Sequence, residues 1–390
     1  MLDKINRPSF LHEADLQRLV DFRHALHRMP ELSGEEEKTA RAVVDFLRAT
    51  APDEIVTGLG GHGVAAVYAG SEPGPIVLFR SELDALPIQE LTNVPYRSTV
   101  AGKGHLCGHD GHSATLAALG LGFAQQRPRR GRAVLMFQPA EENGAGAAAV
   151  VADPKFAAIA PDIAFSWHNM PGLPFGAAVL GVGPVNCASR GMRITLIGKT
   201  SHASQPEMGL SPAPAVAGLL MELTALSTGL ELTTDFAMAT ITHCRMGEPV
   251  FGIAPGEAEI FVTLRTLTDG RMGALVARAE EIVGQHAAVV GLGLTIAYDA
   301  DFAHVENAPE AVAHLQAALA AEGIAMTGED LPMRGSEDFG RFGRMAPAAM
   351  VFIGAGEMYP SLHNPDYDFP DGLIDIAARV MMRTAREILG

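Results

Sequence analysis

The chain is poor in cysteine and in positive charge. Its three cysteines among 390 residues are too few and too scattered for a disulfide framework, which favours a reducing compartment. The 29 lysines and arginines face 45 aspartates and glutamates, so the net charge is −16. Because phosphate binding needs a basic surface, we expect no nucleic-acid or anionic-membrane partner. The one basic run, Arg127-Pro-Arg-Arg-Gly-Arg132, is interpreted as a solvated turn, with an anion site as the alternative.

Long apolar runs are missing as well. The first residues, MLDKINRPSFLHEADL, contain no apolar run that could act as a signal peptide. No stretch of about eighteen apolar residues occurs, so no membrane span is predicted. We therefore expect a cytoplasmic protein. The hydrophobic fraction of 48% is nevertheless normal for a globular enzyme with large cores.

One segment concentrates side chains that bind metals, His105-Leu-Cys-Gly-His-Asp-Gly-His112. Histidine, thiolate and carboxylate are the groups that hold borderline transition metals. Gly108 and Gly111 leave the backbone free to aim several of these groups at one point. A helical pattern starts directly afterwards, and the positive end of its dipole would favour a thiolate or carboxylate. The alternative is a polar turn with chance histidines.

Three short apolar runs each lead into an acid or a histidine. The runs 76–79, 133–137 and 163–165 read as buried strands, with helical patterns between them. Such alternation predicts a parallel sheet with right-handed crossovers. Because sites form beyond the carboxyl ends of such strands, the polar residues should converge with the metal-binding segment. These residues are Asp84, Glu141, Glu142 and His168.

The pattern changes near residue 187. From there the order is strand, helix, two strands, helix, strand, which is typical of a small α+β unit with an antiparallel sheet. Past about residue 303 the earlier pattern of helical segments and buried apolar runs returns. We therefore predict an α/β fold in which residues 1–187 and 303–390 form a catalytic domain with a mixed, largely parallel sheet flanked by helices. Residues 188–302 form an inserted, smaller α+β (ferredoxin-like) domain.

The convergent residues predict a two-metal site. The donors are sufficient for two ions if Cys107 bridges them; they are Cys107, His109, Glu142, His168 and His363. Paired metals about 4 Å apart can activate a water between them and polarise a carbonyl oxygen. Glu141, next to one candidate ligand, would then move a proton from water to the leaving nitrogen of an amide. For Glu141-Glu142 the alternative is an acidic pair at a helix start, and for His363 it is a capped polar loop.

Several motifs together resemble the aminoacylase/carboxypeptidase family of dinuclear metallopeptidases, the peptidase M20 type. The similar branch contains hippurate hydrolase, indole-3-acetyl-amino-acid hydrolases and N-acetyl-diaminopimelate deacetylase. The resemblance spans nearly the whole chain. Its motifs are RHALH (23–27), PELS (30–33), DALP (84–87), HLCGHDGH (105–112), FQPAEE (137–142), WHNMPG (167–172), GKTSHA (198–203), GSEDF (335–339) and HNP (363–365).

The resemblance implies the same five metal ligands, with Cys107 bridging two divalent ions (Mn, Zn, Co or Ni), and Glu141 as general base. It implies that Asp84 orients a metal ligand. In similar proteins the inserted domain dimerises, and His202 would reach a neighbouring active site to stabilise the oxyanion. A surface histidine is the alternative for His202. We therefore expect a homodimer through a dimerisation or lid domain, or a higher oligomer.

Departures from the family pattern concern the substrate more than the catalysis. Glu82 stands where an aspartate is usual, Glu207 replaces a histidine, and Gly252 replaces an asparagine that can face the substrate. Arg265 is a candidate partner for a substrate carboxylate, although a structural ion pair is at least as good an interpretation. Asn364 is a second substrate-binding candidate.

The sequence as a whole predicts a metal-dependent amidohydrolase that cleaves N-acyl amino acids, whether acetyl, benzoyl or aryl-acyl. One alternative is a di- or carboxypeptidase acting on short peptides. Another is a catalytically silent protein that binds a small molecule.

Overall fold

The computed structural model describes residues 9–328 and 331–390. Its described residues divide into two compact units. Unit 1 takes those of Met1–Val185, Glu306–Leu331 and Asp338–Gly390, and unit 2 takes those of Asn186–Val305 and Pro332–Glu337. None of the described helices is long and apolar enough to cross a membrane.

The helices and strands are numbered by their order along the chain. In chain order they are α1 (Glu13–Arg28), α2 (Glu37–Arg48), β1 (Glu54–Leu59), β2 (Gly63–Ala69), β3 (Glu72–Glu82), α3 (His109–Gln125), β4 (Arg130–Gln138), α4 (Gly146–Ala152), β5 (Ile163–Pro171), β6 (Ala178–Val179), β7 (Gly183–Asn186), β8 (Ala188–Ile197), β9 (Ser201–His202), α5 (Ala213–Thr224), β10 (Ala237–Met246), β11 (Ile253–Ala254), β12 (Glu257–Thr266), α6 (Asp269–Val290), β13 (Gly293–Phe302), β14 (Val305–Asn307), α7 (Pro309–Glu322), α8 (Gly340–Gly343), β15 (Ala348–Gly356) and α9 (Leu373–Leu389).

Unit 1 is built on one sheet with the strand order β1-β2-β4-β3-β5-β15-β6 among the described residues. The neighbours β4, β3, β5 and β15 pair in parallel, whereas the outer strands pair antiparallel. Helices α3, α7 and α9 contact this sheet and close a large hydrophobic core. The prediction of a mixed, largely parallel sheet flanked by helices is therefore confirmed.

Helix α3 carries the metal-binding segment and is buried along nearly its whole length. It begins after Gly108, whose φ of +96° is a conformation that L side chains rarely adopt. A side chain at Gly108 would also lie only 2.5 Å from Oδ1 of Asn169 on β5. The glycine therefore lets strand β5 and the start of α3 approach closely, which places two candidate ligand segments side by side.

Unit 2 contains an antiparallel sheet with the order β10-β12-β8-β13. Helices α5 and α6 pack on it around their own hydrophobic core. Buried residues of β12, and of the second half of β8, alternate with partly buried or exposed ones, as expected for a sheet with one solvated face. The order and connections match a βαββαβ unit, as the sequence pattern predicts.

The bounds of one helix and one strand differ from expectation. The helical pattern between the apolar runs 133–137 and 163–165 forms only a short α-helix, Gly146–Ala152, followed by a 3₁₀ turn at Pro154–Ala158. Pro154 causes the break, because proline lacks an amide hydrogen and restricts the residue before it. Strand β5 continues through Pro171, so His168 lies inside the strand instead of beyond its end.

One segment clusters with a different unit than expected. The sequence pattern predicts residues 332–337 as part of the catalytic domain, but Pro332–Glu337 cluster with unit 2. Backbone pairing gives the reason, since the amide of Cys187 donates to the carbonyls of Met333 and Gly335 at 3.2 and 3.1 Å. Such long-range pairing leaves no periodic signal in the sequence.

Candidate metal centre

The candidate donors gather at the carboxyl edge of the unit 1 sheet. Strand β3 ends at Glu82 and leads to Asp84, and β4 ends at Gln138 and leads to Glu141 and Glu142. The loop after β15 supplies His363. Parallel strands deliver their carboxyl ends to one edge, so residues far apart in sequence meet there.

Their side-chain atoms lie close enough to share metal ions. Two groups of three donors, each with ligand atoms within 4.8 Å of one another, have Cys107 in common. One group joins Cys107 with His109 and His168, and the other joins it with Glu142 and His363. The Sγ of Cys107 lies 3.5 Å from Nε2 of His168, and Nε2 of His363 lies 3.6 Å from Oε2 of Glu142. A sulfur atom shared by two donor sets would suit a pair of bridged ions.

The buried rings of His109 and His168 are each oriented by a hydrogen bond from Nδ1 to a backbone oxygen. In His109, Nδ1 donates to the backbone oxygen of Asp84 at 2.9 Å, and in His168 it donates to the backbone oxygen of Asn169 at 2.7 Å. Their Nε2 atoms remain for a ligand, and the Nε2 of His109 is buried without a hydrogen-bond partner. Metal-binding histidines are held in this way by a carbonyl or carboxylate on the other ring nitrogen. The donor set therefore fits a divalent cation.

Asp84 supports two of the candidate ligands at once. Its carbonyl holds His109, and its Oδ2 accepts from the amide of Glu142 at 3.0 Å and from the hydroxyl of Ser33 at 2.7 Å. Full burial alone would raise the pKa of Asp84, but the interactions with His109, Glu142 and Ser33 hold it below its ordinary value. Asp84 is therefore an ionised residue that positions its neighbours.

His363 differs from the other donors in exposure and backbone. Its side chain is 49% exposed, and its φ of +66° is unusual for a residue with a side chain. Its amide donates to the carbonyl of Leu106 at 2.8 Å, which fastens the loop beside Cys107. The strained backbone is thus held at the point where the ring approaches Glu142.

Burial favours the neutral forms of the thiol and of one imidazole. Burial raises the pKa of the Cys107 thiol well above its ordinary value, and the carboxylate of Glu142 adds to the effect. Burial also lowers the pKa of His168 well below its ordinary value, with His112 contributing. A neutral imidazole is ready to bind a metal, whereas the thiol would release its proton on binding, so affinity should rise with pH.

Glu141 is positioned by a strained backbone. Its side chain is buried, with Oε2 at 3.9 Å from Nε2 of His109. The preceding residue, Ala140, has a φ of +51°, and its amide donates to the buried carboxylate of Glu36 at 2.8 Å. Glu36 therefore fixes the turn that separates the directions of Glu141 and Glu142.

Three side chains beside the donors, those of Arg80, His112 and Asn169, are not among the predicted catalytic, metal-binding or substrate-binding residues. The buried guanidinium group of Arg80 donates hydrogen bonds to Glu82, Gln138 and Asp338. His112 joins Glu82 to Asn169, and Asn169 donates to Tyr367. These contacts connect residues from separate segments, so the sequence offers no spacing that could reveal them.

Arg23 connects both segments that carry candidate ligands. Its buried guanidinium donates to Asp110, which follows His109, at 2.8 Å, and also contacts Asp368 and Asp371 in the loop after His363. His27, one helical turn later, contacts the same Asp110 at 2.8 Å. The sequence signals for this pair are the motif RHALH (23–27) and the four-residue spacing that puts Arg23 and His27 on one helix face.

Three predicted residues lie outside this cluster of donors. His202 and Arg265 belong to unit 2, on β9 and β12. The Nη1 of Arg265 donates to the carbonyl of Arg334 at 3.0 Å and to the hydroxyl of Ser336 at 2.6 Å, instead of forming an ion pair among the described residues. Asn364 is exposed, and its backbone pairs within its own loop.

Comparison with known proteins identifies the family. Peptidase family M20/M25/M40 matches residues 78–387. The chain belongs to this family. Hippurate hydrolase of Campylobacter jejuni is 31% identical over 96% of this M20 chain and 98% of its own length. N-acetylcysteine deacetylase of Bacillus subtilis is 28% identical over 95% and 97%.

A solved structure supports the same assignment. The YxeP protein of Bacillus subtilis, described as a dinuclear metal-binding peptidase of the M20 family, is 27% identical to this M20 chain. The two superpose with a TM-score of 0.80, covering 97% of this chain and 99% of the other. The M20 chain is thus a hydrolase of C–N amide bonds, with donors for a dinuclear metal site.

Proposed function

We propose that this M20 chain hydrolyses the amide bond of N-acyl amino acids, with acetyl, benzoyl or related aryl-acyl groups. The observation that carries the proposal is the pair of donor groups sharing Cys107, with Glu141 beside them. Relatives named for hippurate hydrolysis and for N-acetylcysteine deacetylation match nearly the full chain, which supports this substrate class.

The proposed ligands of two divalent ions (Mn, Zn, Co or Ni) are Cys107, His109, Glu142, His168 and His363. When bound, such ions polarise a carbonyl oxygen and lower the pKa of water. Asp84 accepts hydrogen bonds from the His109 ring through its backbone oxygen and from the Glu142 amide through its carboxylate. These contacts fix the positions of both donors. The buried carbonyls behind His109 and His168 keep each Nε2 turned toward the centre.

Glu141 is proposed as the proton carrier of the reaction. Its buried carboxylate accepts a proton from the attacking water and then donates it to the amide nitrogen, so that the amine leaves neutral. The hydroxyl group of the water becomes part of the new carboxylic acid, and the proton of the water ends on the amine. Glu36 contributes by fixing the backbone at Ala140, one residue before the carboxylate.

His202 is proposed to stabilise the oxyanion in the active site of a second copy of the chain. The amide of Ser204 donates to Nδ1 of His202 at 3.1 Å, so in the neutral ring the hydrogen sits on Nε2. Nε2 is then available to donate to a developing negative charge. Ile253, which pairs with His202, and nearby Met208 are exposed apolar residues, which supports burial of this surface in a homodimer.

Arg265 and Asn364 are proposed to contact the substrate. The Nη1 of Arg265 is already engaged, so a substrate carboxylate would be bound by its other N–H groups. The exposed amide of Asn364 lies next to the proposed ligand His363, which suits contact with a substrate at the centre.

A substrate panel tests the proposal. The metal-reconstituted protein is assayed with matched N-acetyl, N-benzoyl and dipeptide derivatives of the same amino acids. We expect kcat/KM to be highest for the acyl amino acids. A preference for dipeptides would assign a di- or carboxypeptidase instead, and failure with every substrate and metal would favour a silent binding protein.

A further inference from the structure

The C-terminal end of α3 lines a cavity of about 390 Å³, far from the metal centre. Helix α3 begins at His109 and ends at Gln125, and seventeen residues span about 25 Å at 1.5 Å per residue. Helix α9 forms the opposite wall, and Phe10 and Glu322 complete the lining. No candidate metal ligand lines this cavity, so it is not an extension of the hydrolytic site.

Three arginines of α9 line this cavity. They are Arg379, Arg383 and Arg386, and among the described lining residues Glu322 alone carries an acidic side chain. The chain as a whole carries a net charge of −16, so a local excess of cations runs against its overall balance. Clustered guanidinium groups in a concave site favour an anion.

Arg379 is the least satisfied of the three. Its side chain is 5% exposed, and neither Nε nor Nη1 has a hydrogen-bond partner. Its nearest acidic oxygens, in Glu322 and Asp375, are both 3.4 Å away. A buried cation with incomplete hydrogen bonding is costly, so an additional acceptor in the cavity would stabilise it.

The other two arginines are held in place and shape the site. Arg383 donates to Glu322 at 3.0 Å, so Glu322 is shared between two cations. Arg386 donates to the carbonyls of Gly122, Gln126 and Arg127 at the end of α3. It therefore neutralises the negative end of that helix and forms a fixed wall.

The remaining lining combines apolar side chains with side-chain amides. Phe10 and the buried Met382 supply apolar surface, and Gln125 and Gln126 supply exposed side-chain amides. Small-molecule sites combine apolar walls with a few polar groups that fix orientation, in volumes of roughly 300–1,000 Å³. The cavity therefore suits a ligand with an anionic head and an apolar body.

We propose that this cavity binds a small organic anion, a carboxylate or phosphate monoester attached to an apolar group, through Arg379 and Arg383. Guanidinium groups bind carboxylates and phosphates alike with paired hydrogen bonds, so the same two arginines suit either head group. The proposal does not depend on the substrate proposed for the metal centre.

Three probes with one apolar body test the proposal in the metal-loaded, full-length protein. Phenyl phosphate, benzoate and neutral benzamide are titrated at constant ionic strength, with binding followed by calorimetry and by the thermal unfolding midpoint. We expect at least one of the two anions to bind and raise the midpoint, and benzamide to do neither. The tighter anion identifies the preferred head group.

Two variants locate the binding. Arg383→Gln removes a half-exposed cation, and Gln126→Glu places a competing carboxylate in the cavity from an exposed position. Each should weaken anion binding at least tenfold, whereas Arg278→Gln, on the surface of unit 2, should leave it unchanged. Equal binding by wild type and both variants, or equal binding of benzamide and benzoate, would overturn the proposal.

Discussion

Charged residues are used differently around the metal centre and on the surface of unit 2. Arg23 and Arg80 are fully buried in unit 1 and contact several carboxylates each. The arginine pairs of unit 2 lie on the surface, with arginine side chains 31–58% exposed. These pairs are Arg190–Asp301, Arg193–Asp299, Arg245–Glu248 and Arg278–Glu281.

The difference shows where fixed geometry is needed. A buried ion pair is expensive to desolvate and adds little net stability, but removing one partner leaves an uncompensated charge. An exposed pair contributes only about 0–1 kcal/mol and is screened by salt. We infer that the buried charges of unit 1 hold the ligand-bearing segments in position. The exposed charges of unit 2 mainly keep its surface solvated.

The largest contrast is expected for Glu141→Gln against Glu248→Gln. Loss of the proton carrier should lower kcat about 10²–10⁴-fold, because general acid–base catalysis contributes that much. The surface variant should retain full activity. Steady-state kinetics with an N-acyl amino acid, together with metal analysis, measures both. Wild-type kcat in Glu141→Gln would remove Glu141 from the mechanism.

The next effect is on stability, for Arg23→Gln against Arg193→Gln. The first removes the larger of two buried cations beside Asp110, since His27 remains, and also strips Asp368 and Asp371 of their arginine partner. It should therefore lower the free energy of unfolding by roughly 3–5 kcal/mol. The second should cost less than about 1 kcal/mol. Urea unfolding of the two proteins compares them. A similar small loss in both would show that burial of the Arg23 network carries no special energetic weight.

A smaller effect is expected on metal affinity, for Asp84→Asn against Asp299→Asn. Residues that orient ligands typically contribute 10–100-fold in affinity, so Asp84→Asn should weaken binding by about that factor. Asp299 lies on the unit 2 surface, and its variant should bind metal normally. Competition with a chelating dye gives the affinities. Unchanged affinity in Asp84→Asn would contradict a positioning role for its carboxylate, because the backbone oxygen that holds His109 is the same in both proteins.

The smallest effect concerns pH. Burial alone would lower the pKa of His27, but Asp110 and Glu90 raise it to about 9. Since the folded pKa exceeds the unfolded value near 6.5, the stabilisation is fully present below about pH 6.5 and is lost as pH rises toward 9. Wild type should therefore lose stability across this window, and His27→Gln should lose less. The exposed variant His243→Gln should follow wild type, and a His27→Gln curve parallel to wild type would contradict the assignment.

The strand-end rule explains how much the sequence predicts. Runs ending near Glu82 and Gln138, with the segment His105–His112, point to one sheet edge, and the structure brings the donors together there. Residues that depend on long-range contacts are different. Arg23 meets Asp110 and Asp371 only after the chain has folded, and no local spacing encodes that meeting.

Local backbone strain is also invisible in the sequence. The positive φ of Ala140 depends on the distant carboxylate of Glu36, which accepts its amide hydrogen bond. Alanine has no local preference for this conformation, so the turn that separates Glu141 from Glu142 could not be predicted. The membership of residues 332–337 in unit 2 rests on similar long-range backbone pairing.

The most direct test of the account is metal content measured together with hydrolysis. The protein is stripped with a chelator and titrated with Mn²⁺, Co²⁺, Ni²⁺ or Zn²⁺ while hydrolysis of an N-acyl amino acid is followed. We expect no activity without metal, full activity at two ions per chain, and loss of the two-ion stoichiometry in Cys107→Ala. Hydrolysis that persists in the metal-free protein, or full activity with Cys107→Ala and one ion, would contradict a thiolate-bridged dinuclear centre.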